Sequence, residues 1–348
     1  MGTSVALVLR SHGLAVHLDD RDPAAVKLAS ALGAGEPRDS TTPRVDLAVI
    51  AVPPAAVPAV LVQLQGEDAA ATYTDLASTK AGTQRMIETL ADPTTYVGGH
   101  PLAGRELSGP GAARLDLFSG RPWVLSPSEH STAAALGRVR RLVELCGAIP
   151  ILMDPHAHDL AVALVSHAPQ VLASLAAARL VDAGPDALGL AGQGIRDVTR
   201  IAASDPELWT EILASNANAV ADVLAAVATD LDEVVRALRA AAADPADPSA
   251  IDPVTAALQA GNRGRAGLPG KHGGPAASWT PVPVLVPDKP GELARLLTQV
   301  GEADINLEDM RIEHSPGQPV GLVELAVRPA LAEELVALLR SLGWAVHW

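Results

Sequence analysis

Over the first 150 residues, short apolar runs alternate with helix-like segments, and few architectures tolerate that alternation. Val45–Val52 is a near-continuous aliphatic run, the pattern of a strand buried in a parallel sheet. Ala15–Leu18, ending in Asp19-Asp20, reads as a short strand, as do Thr72–Leu76 and Tyr96–Gly99. Ala24–Leu32 reads as a helix stopped by Gly33–Gly35. Such alternation predicts an α/β, Rossmann-like, doubly wound domain, here over residues 1–152. The longest apolar stretch, Leu47–Val62, carries Pro53, Pro54 and Pro58 and fits a strand and turn better than a bilayer helix. No membrane span or signal peptide is expected.

From Asp154 the pattern becomes helical, giving an all-α domain over 153–262. Asp154-Pro155 fits an N-cap followed by proline in the first turn. Ser204-Asp205-Pro206-Glu207 reads as a capping box ahead of one long helix. In that helix Val220, Leu224, Val227, Leu231, Val234 and Leu238 repeat at heptad-like spacing. A helix so long and amphipathic needs a partner surface, so a dimer interface is favoured over a simple core helix. Residues 244–280 are rich in Pro, Gly and Ala and read as linker, with the domain boundary drawn at 263–280. Gly261–Arg265 and Pro269–Gly273 there concentrate positive charge, as in a loop that approaches an anion or in a plain solvated loop. Residues 281–348 run strand, helix, strand, strand, helix, strand: Val282–Val286, Leu293–Val300, Ile305–Glu313, Val320–Val327, Leu331–Leu342 and Ala345–Trp348. That is a ferredoxin-like unit.

A chain of 348 residues is too long for one ordinary core. With 48% hydrophobic but 2% aromatic residues, its cores are aliphatic. The formal charge of −14 argues against a nucleic-acid partner. A single cysteine, Cys146, excludes an intrachain disulfide and fits a reducing cytoplasm.

The chemistry concentrates at Gly98–Gly109. His100 ends a short apolar run among glycines, where backbone can approach a ligand closely and an imidazole can serve as a base near neutral pH. Glu106 sits in the same loop. His156, His158 and Asp159 lie at a helix start without a distant ligand set, so no metal is expected. Arg196, Asp197 and Arg200 also fit a salt-bridged helix surface, Lys80 a solvated turn and Trp209 plain core packing.

Together these motifs resemble the prephenate dehydrogenase family with a C-terminal ACT regulatory domain. They are Gly99–Gly104 with Glu106 and Ser108-Gly109, Asp75–Lys80, His158-Asp159, Ser166-His167, Arg196–Ala202, and Ser204-Asp205-Pro206 with Trp209. The resemblance covers essentially the whole chain. It implies NAD-dependent oxidative decarboxylation of prephenate to 4-hydroxyphenylpyruvate in tyrosine biosynthesis. It further implies that His100 accepts the hydroxyl proton, that Ser78 hydrogen-bonds the hydroxyl or the base, and that Arg200 holds a carboxylate. Glu106, His158, Gln170, Trp209 and Lys80 would line the substrate pocket. Gly2, Asp19, Asp20, Val52 and Pro53 would contact the cofactor. Asp288, Gly291 and Asn306 would bind an aromatic amino-acid effector. The enzyme would be a cytoplasmic homodimer.

Two departures stand out. A dinucleotide fold opens with a strand and G-x-G-x-x-G. Here Gly2 matches the third glycine and the helix starts at once, so the sheet should be interrupted beside that point. The expectation is that the true start lies upstream, which intact mass of the native protein would test. An acidic residue at the second strand's end, Asp20 by preference, favours NAD over NADP, although Arg21 adjoins it. The second departure is Gln170, where prephenate-preferring relatives often carry histidine; its amide could accept the amine of arogenate. Arogenate or an amino-substituted prephenate are thus alternative substrates. A catalytically silent amino-acid sensor is the alternative from another class, and a nicotinamide-binding test separates it from the enzymes.

Overall fold

The structure, a computed structural model, describes residues 1–103, 109–268, 279–314 and 319–348. The chain divides into two compact units, Met1–Ala228 and Thr229–Trp348.

The first unit opens with helix α1 (Gly2–Ser11), strand β1 (His17–Leu18), α2 (Pro23–Ala31) and β2 (Glu36–Pro37). Then follow β3 (Ala48–Ile50), α3 (Val57–Gly66), β4 (Tyr73–Asp75), α4 (Ala81–Leu90) and β5 (Tyr96–Pro101). Strand β6 (Pro122–Ser126), α5 (Ala133–Leu145) and β7 (Ile149–Leu152) complete the nucleotide-type fold. The sheet lies in two pieces, a parallel pair β1-β2 and a five-stranded sheet in the order β3-β4-β5-β6-β7. That is the interruption expected beside Gly2. Strands β3, β4 and β5 are mutually parallel, whereas β6 runs antiparallel to β5. Short β6 and β7 were not picked out in the sequence. Helices cover both faces. Val5 and Val8 of α1 join Val139, Leu142 and Val143 of α5 over one. Val57 and Leu61 of α3 join Ile87 of α4 over the other. Ala6 of α1 packs with Ala29 and Ala34 beside the smaller sheet, so α1 serves both pieces. A Cβ on Gly2 would lie 2.8 Å from the Cβ of Ala51. Only glycine lets the helix start sit this close to the strand end, the packing role of the third glycine.

After β7 the chain becomes helical. Asp154 caps α6 (Pro155–Val162), accepting from the N–H groups of His156 and Ala157 as the sequence predicts. The helix continues through a π-helical turn, Ala163–His167, into α7 (Ala168–Ala178). By length and composition Pro155–Ala178 is long and apolar enough to cross a membrane, a test that the core helix of a soluble protein also passes. Its buried groups include the polar His158, Asp159, His167 and Gln170. Next come α8 (Pro185–Gly189), α9 (Gln193–Thr199) and a 3-10 turn, Arg200–Ala203. Helix α10 (Pro206–Ser215) is capped by Asp205, not by Ser204. The Ser204 hydroxyl instead donates to Ile201 O, 2.6 Å away, inside the preceding turn. The expected single long helix breaks at Asn216, and α11 (Ala217–Ala243) leaves at 96° to α10. The Asn216 side chain is engaged elsewhere, as shown below. Along the heptad-like seam Val220 is buried while Leu231 and Leu238 are exposed. The boundary between the two units falls within α11.

In the second unit, α12 (Asp252–Ala266) occupies much of the expected linker. Its first turn holds Asp252 and Pro253, and its last holds Arg263 and Arg265. Acid at the start and cations at the end suit the helix dipole, so these arginines end a helix and do not form a loop. Pro269–Gly273 lies outside the described residues. The remaining elements are β8 (Thr280–Pro287), α13 (Glu292–Glu302), β9 (Asp309–His314), β10 (Val320–Val327), α14 (Pro329–Ser341) and β11 (Ala345–Val346). Their antiparallel sheet has the order β11-β8-β10-β9, the ferredoxin-like arrangement. Val282, Val284, Leu325, Leu335 and Leu339 build its core.

Candidate active site

In parallel α/β sheets, ligand chemistry gathers beyond the carboxyl ends of the strands. Asp19 and Asp20 follow β1, Val52 and Pro53 follow β3, and Ser78 and Lys80 follow β4. His100 closes β5. These residues therefore lie at the carboxyl ends of parallel strands, Asp19 and Asp20 on the two-stranded piece and the others on the five-stranded sheet, while His158, Gln170, Arg200 and Trp209 come from the helical segment.

His100 is buried, and its Nδ1 lies 2.8 Å from Nε2 of His158, itself fully buried on α6. His158 Nδ1 lies 2.8 Å from Asp159 Oδ1. Asp159 also accepts from the backbone N–H groups of Lys80 and Ala81, each at 2.8 Å. Burial works to raise the Asp159 pKa, but these hydrogen bonds outweigh it and hold the carboxyl below its usual range. An ionised carboxylate only accepts, so His158 carries its proton on Nδ1. Its Nε2 then accepts from His100 Nδ1–H, and His100 Nε2 keeps a free lone pair. Burial, then the unfavourable electrostatics of gaining a proton beside His158, Lys80 and His167, pushes the His100 pKa well below its ordinary value. The ring is held as a neutral base.

Beneath it lies a buried ionic cluster. Lys80 and Asp75, 1% and 0% exposed, form an ion pair, and the Tyr96 hydroxyl donates to the same carboxylate. The N–H of Ala77 donates to Asp75 at 2.7 Å. Lys80 is thus no solvated turn residue, and its ammonium is paired with Asp75 in the interior. Burial, followed by the Asp75 charge, raises the Tyr96 pKa well above its ordinary value.

On the helical side, Asn216 Nδ2 donates to Asp159 O at 2.7 Å and lies 3.2 Å from His167 Nδ1. This explains the break between α10 and α11: the asparagine turns inward to tie α10 to α6. His167 sits on the π-helical turn, a local widening often found at functional sites. Its pKa is lowered to about 4, chiefly by burial. Trp209 packs edge-on against it, with ring centroids 6.1 Å apart. The Gln170 amide donates to Ile201 O at 3.0 Å, and its oxygen lies 3.5 Å from Ser204 Oγ. The amide N–H of Gln170 therefore ties helix α7 to the turn that carries Arg200, and Arg200 itself is exposed. Ser78 is half-buried between Ala77 and Thr79. Glu106 lies outside the described residues.

Asp159, Asp75, Tyr96 and Asn216 were not singled out as site residues in the sequence. Asp159 and Asp75 stand inside recognised motifs, whereas Tyr96 and Asn216 carry no local signal. At the β1 end, a cavity of about 580 Å³ is lined by Asp19, Asp20, Lys27 and Arg38, among others. Asp20 accepts from Asp22 N–H at 2.9 Å, and Asp19 faces Arg38. The acid pair and the close approach at Gly2 fit a dinucleotide. In the second unit Gly291 begins α13 at φ 90°, and exposed Asn306 donates to Glu308 at 2.8 Å.

Residues 5–152 match the family model for the prephenate dehydrogenase nucleotide-binding domain, and residues 154–246 match that for the prephenate dehydrogenase dimerization domain. A Streptomyces niveus protein named "Probable prephenate dehydrogenase NovF" is 40% identical over all of this chain and 97% of its own length. The crystal structure of prephenate dehydrogenase from A. aeolicus in complex with hydroxyphenyl propionate and NAD+ is 27% identical. It has a TM-score of 0.65 and covers 76% of this chain and 93% of that one. Synechocystis arogenate dehydrogenase is 26% identical, with a TM-score of 0.60, covering 76% of this chain and 94% of that one. Matched by both domain models and by a relative that is 40% identical over its whole length, this chain belongs to the prephenate dehydrogenase family.

Proposed function

We propose that the chain oxidises and decarboxylates prephenate to 4-hydroxyphenylpyruvate with NAD, and that His100 is its base. The observation that carries this is the His100–His158–Asp159 chain, which leaves His100 Nε2 free to accept a proton. NAD, when bound, supplies the hydride acceptor; Asp19, Asp20, Val52 and Pro53 would hold it, with Gly2 letting the start of α1 pack against the end of β3 beside it. His100 takes the hydroxyl proton as the C4–H electron pair departs. The C1 carboxylate leaves as CO2, and its bonding electrons complete the aromatic ring. Aromatisation drives the reaction, so the protein's work is to orient the ring and hold one proton. Ser78 hydrogen-bonds the reacting hydroxyl, and Arg200 receives a substrate carboxylate with its planar fork. His167 and Trp209 close the helical wall, while Gln170 positions the Arg200 turn.

The chain works as a cytoplasmic homodimer. Leu160, Leu164, Val165, Leu172 and Leu175 are exposed along Pro155–Ala178, the kind of apolar face a partner subunit covers. The ferredoxin-like unit serves as an ACT domain, with an aromatic amino acid bound near Asp288, Gly291 and Asn306. Calorimetry with tyrosine and phenylalanine tests this, and absence of heat from both refutes it.

The decisive assay follows NADH at 340 nm with NAD and either prephenate or arogenate. It compares this chain with one extended upstream by a strand and two glycines. Turnover of prephenate supports the proposal, and turnover of arogenate alone corrects the substrate. Silence of both proteins with both substrates overturns it.

A further inference from the structure

The cavity at the end of β1 carries both signs of charge. Asp19 and Asp20 line it, and so do Lys27 and Arg38. These groups pull cofactor choice in opposite directions. A carboxylate here accepts from a ribose 2′-hydroxyl, whereas a free arginine receives a 2′-phosphate. Of these cations Arg38 alone offers a guanidinium in the cavity lining, so its engagement matters most.

Arg38 is not free. Arg38 follows β2, and its backbone N–H donates to Leu18 O at 2.8 Å, which anchors it beside the β1 end. Its Nη2 lies 2.7 Å from Glu67 Oε2, and its Nη1 lies 3.4 Å from Asp19 Oδ2. The closer partner is Glu67, which caps the end of α3 and does not line the cavity. Glu67 is itself fixed, since its other oxygen accepts from Gln63 Nε2 at 2.9 Å. A guanidinium binds phosphate best through two parallel N–H bonds. Divided between two carboxylates, Arg38 must give up one of them to present that fork.

We propose that Glu67, from outside the cavity, sets the preference for NAD over NADP by holding Arg38 away from the 2′-phosphate position. This rests on the reading above that the cavity takes the adenosine ribose. The specificity element is then a three-residue relay, Glu67–Arg38–Asp19, drawn from three separate segments of the chain. Asp19 plays two parts in it, since it both faces the ribose and holds the second edge of Arg38.

The test is equilibrium binding by calorimetry, with NAD, NADP and the fragments 5′-AMP and 2′,5′-ADP as probes. Glu67→Gln should tighten NADP and 2′,5′-ADP about three- to five-fold, the scale of a partly exposed ion pair. NAD and 5′-AMP should bind nearly as in the parent, because Glu67 does not line the cavity. Adding Arg38→Met to Glu67→Gln should abolish the gain, which ties it to the guanidinium. An unchanged NADP-to-NAD affinity ratio in Glu67→Gln, with NAD still bound, overturns this inference and leaves the cavity assignment standing. A parent protein that binds neither NAD nor 5′-AMP overturns both. A gain that persists in the double variant overturns the role of Arg38.

Discussion

Nδ1 of His100 lies 2.8 Å from Nε2 of His158, although the two residues stand 58 positions apart. Strand β5 delivers one ring and helix α6 the other. Asp159, next to His158, completes the chain and simultaneously caps the start of α4 through the N–H groups of Lys80 and Ala81. One carboxylate thus fixes the base and joins the two halves of the site.

Asp159→Asn should therefore lower kcat by about 100-fold or more, because an amide no longer dictates which nitrogen of His158 carries the proton. Nucleotide affinity should change little. Steady-state kinetics with calorimetry of NAD binding separates the two effects, and an unchanged kcat contradicts the relay.

The pH dependence has a definite sign. His100 works as the neutral ring, and its pKa is lowered, so the acid limb of kcat/KM should fall below the ordinary histidine value near 6.5. Stability follows the same direction. His100 and His167 are buried neutral, with folded pKa values below their unfolded ones. Their contribution is complete above about pH 6.5 and is lost as pH falls toward about 4, the His167 value. The thermal midpoint should drop between pH 7.5 and 5, and His167→Gln should flatten that drop.

Lys80→Met should destabilise the first unit by about 3–5 kcal/mol, the usual cost of leaving one member of a buried ion pair unpaired. Denaturant unfolding measures it. A loss comparable to that of an exposed lysine would place Lys80 outside the ionic cluster.

Gly99→Ala should impair both folding and activity. A Cβ at this position would lie 2.5 Å from the carbonyl oxygen of Asp75, a backbone atom that cannot step aside. The strand must shift, and His100 is the next residue on it. Gly82→Ala, where the added carbon meets open space, is the matched control.

Gln170→Ala should raise KM for the substrate more than it lowers kcat. Its amide donates to Ile201 O in the turn carrying Arg200, and among the described residues it makes no hydrogen bond to His100. Initial-rate kinetics reads the split, and a pure kcat effect contradicts a role in holding that turn.

The sequence by itself determined the layered α/β architecture, the helical segment and the ferredoxin-like unit, because each is written in local periodicity and in turn residues. It also placed His100, Ser78 and Lys80 at strand ends, where chemistry gathers. Asp154-Pro155 announced its helix without help from the rest of the chain. Only the tertiary structure decided what the polar residues do. Lys80 reads as a turn lysine until Asp75 and Tyr96 are seen to enclose it. Gln170 reads only as a pocket residue until its amide is seen to reach Ile201 O in the turn beside Arg200. Asn216 reads as an ordinary helical residue until it is found tying α10 to Asp159. Arg263 and Arg265 read as loop cations until they are found closing a helix. The physical reason is common to all of these. Hydrophobic period is a property of neighbours in sequence, whereas a buried charge or amide is defined by the partner that satisfies it, and that partner comes from elsewhere in the chain.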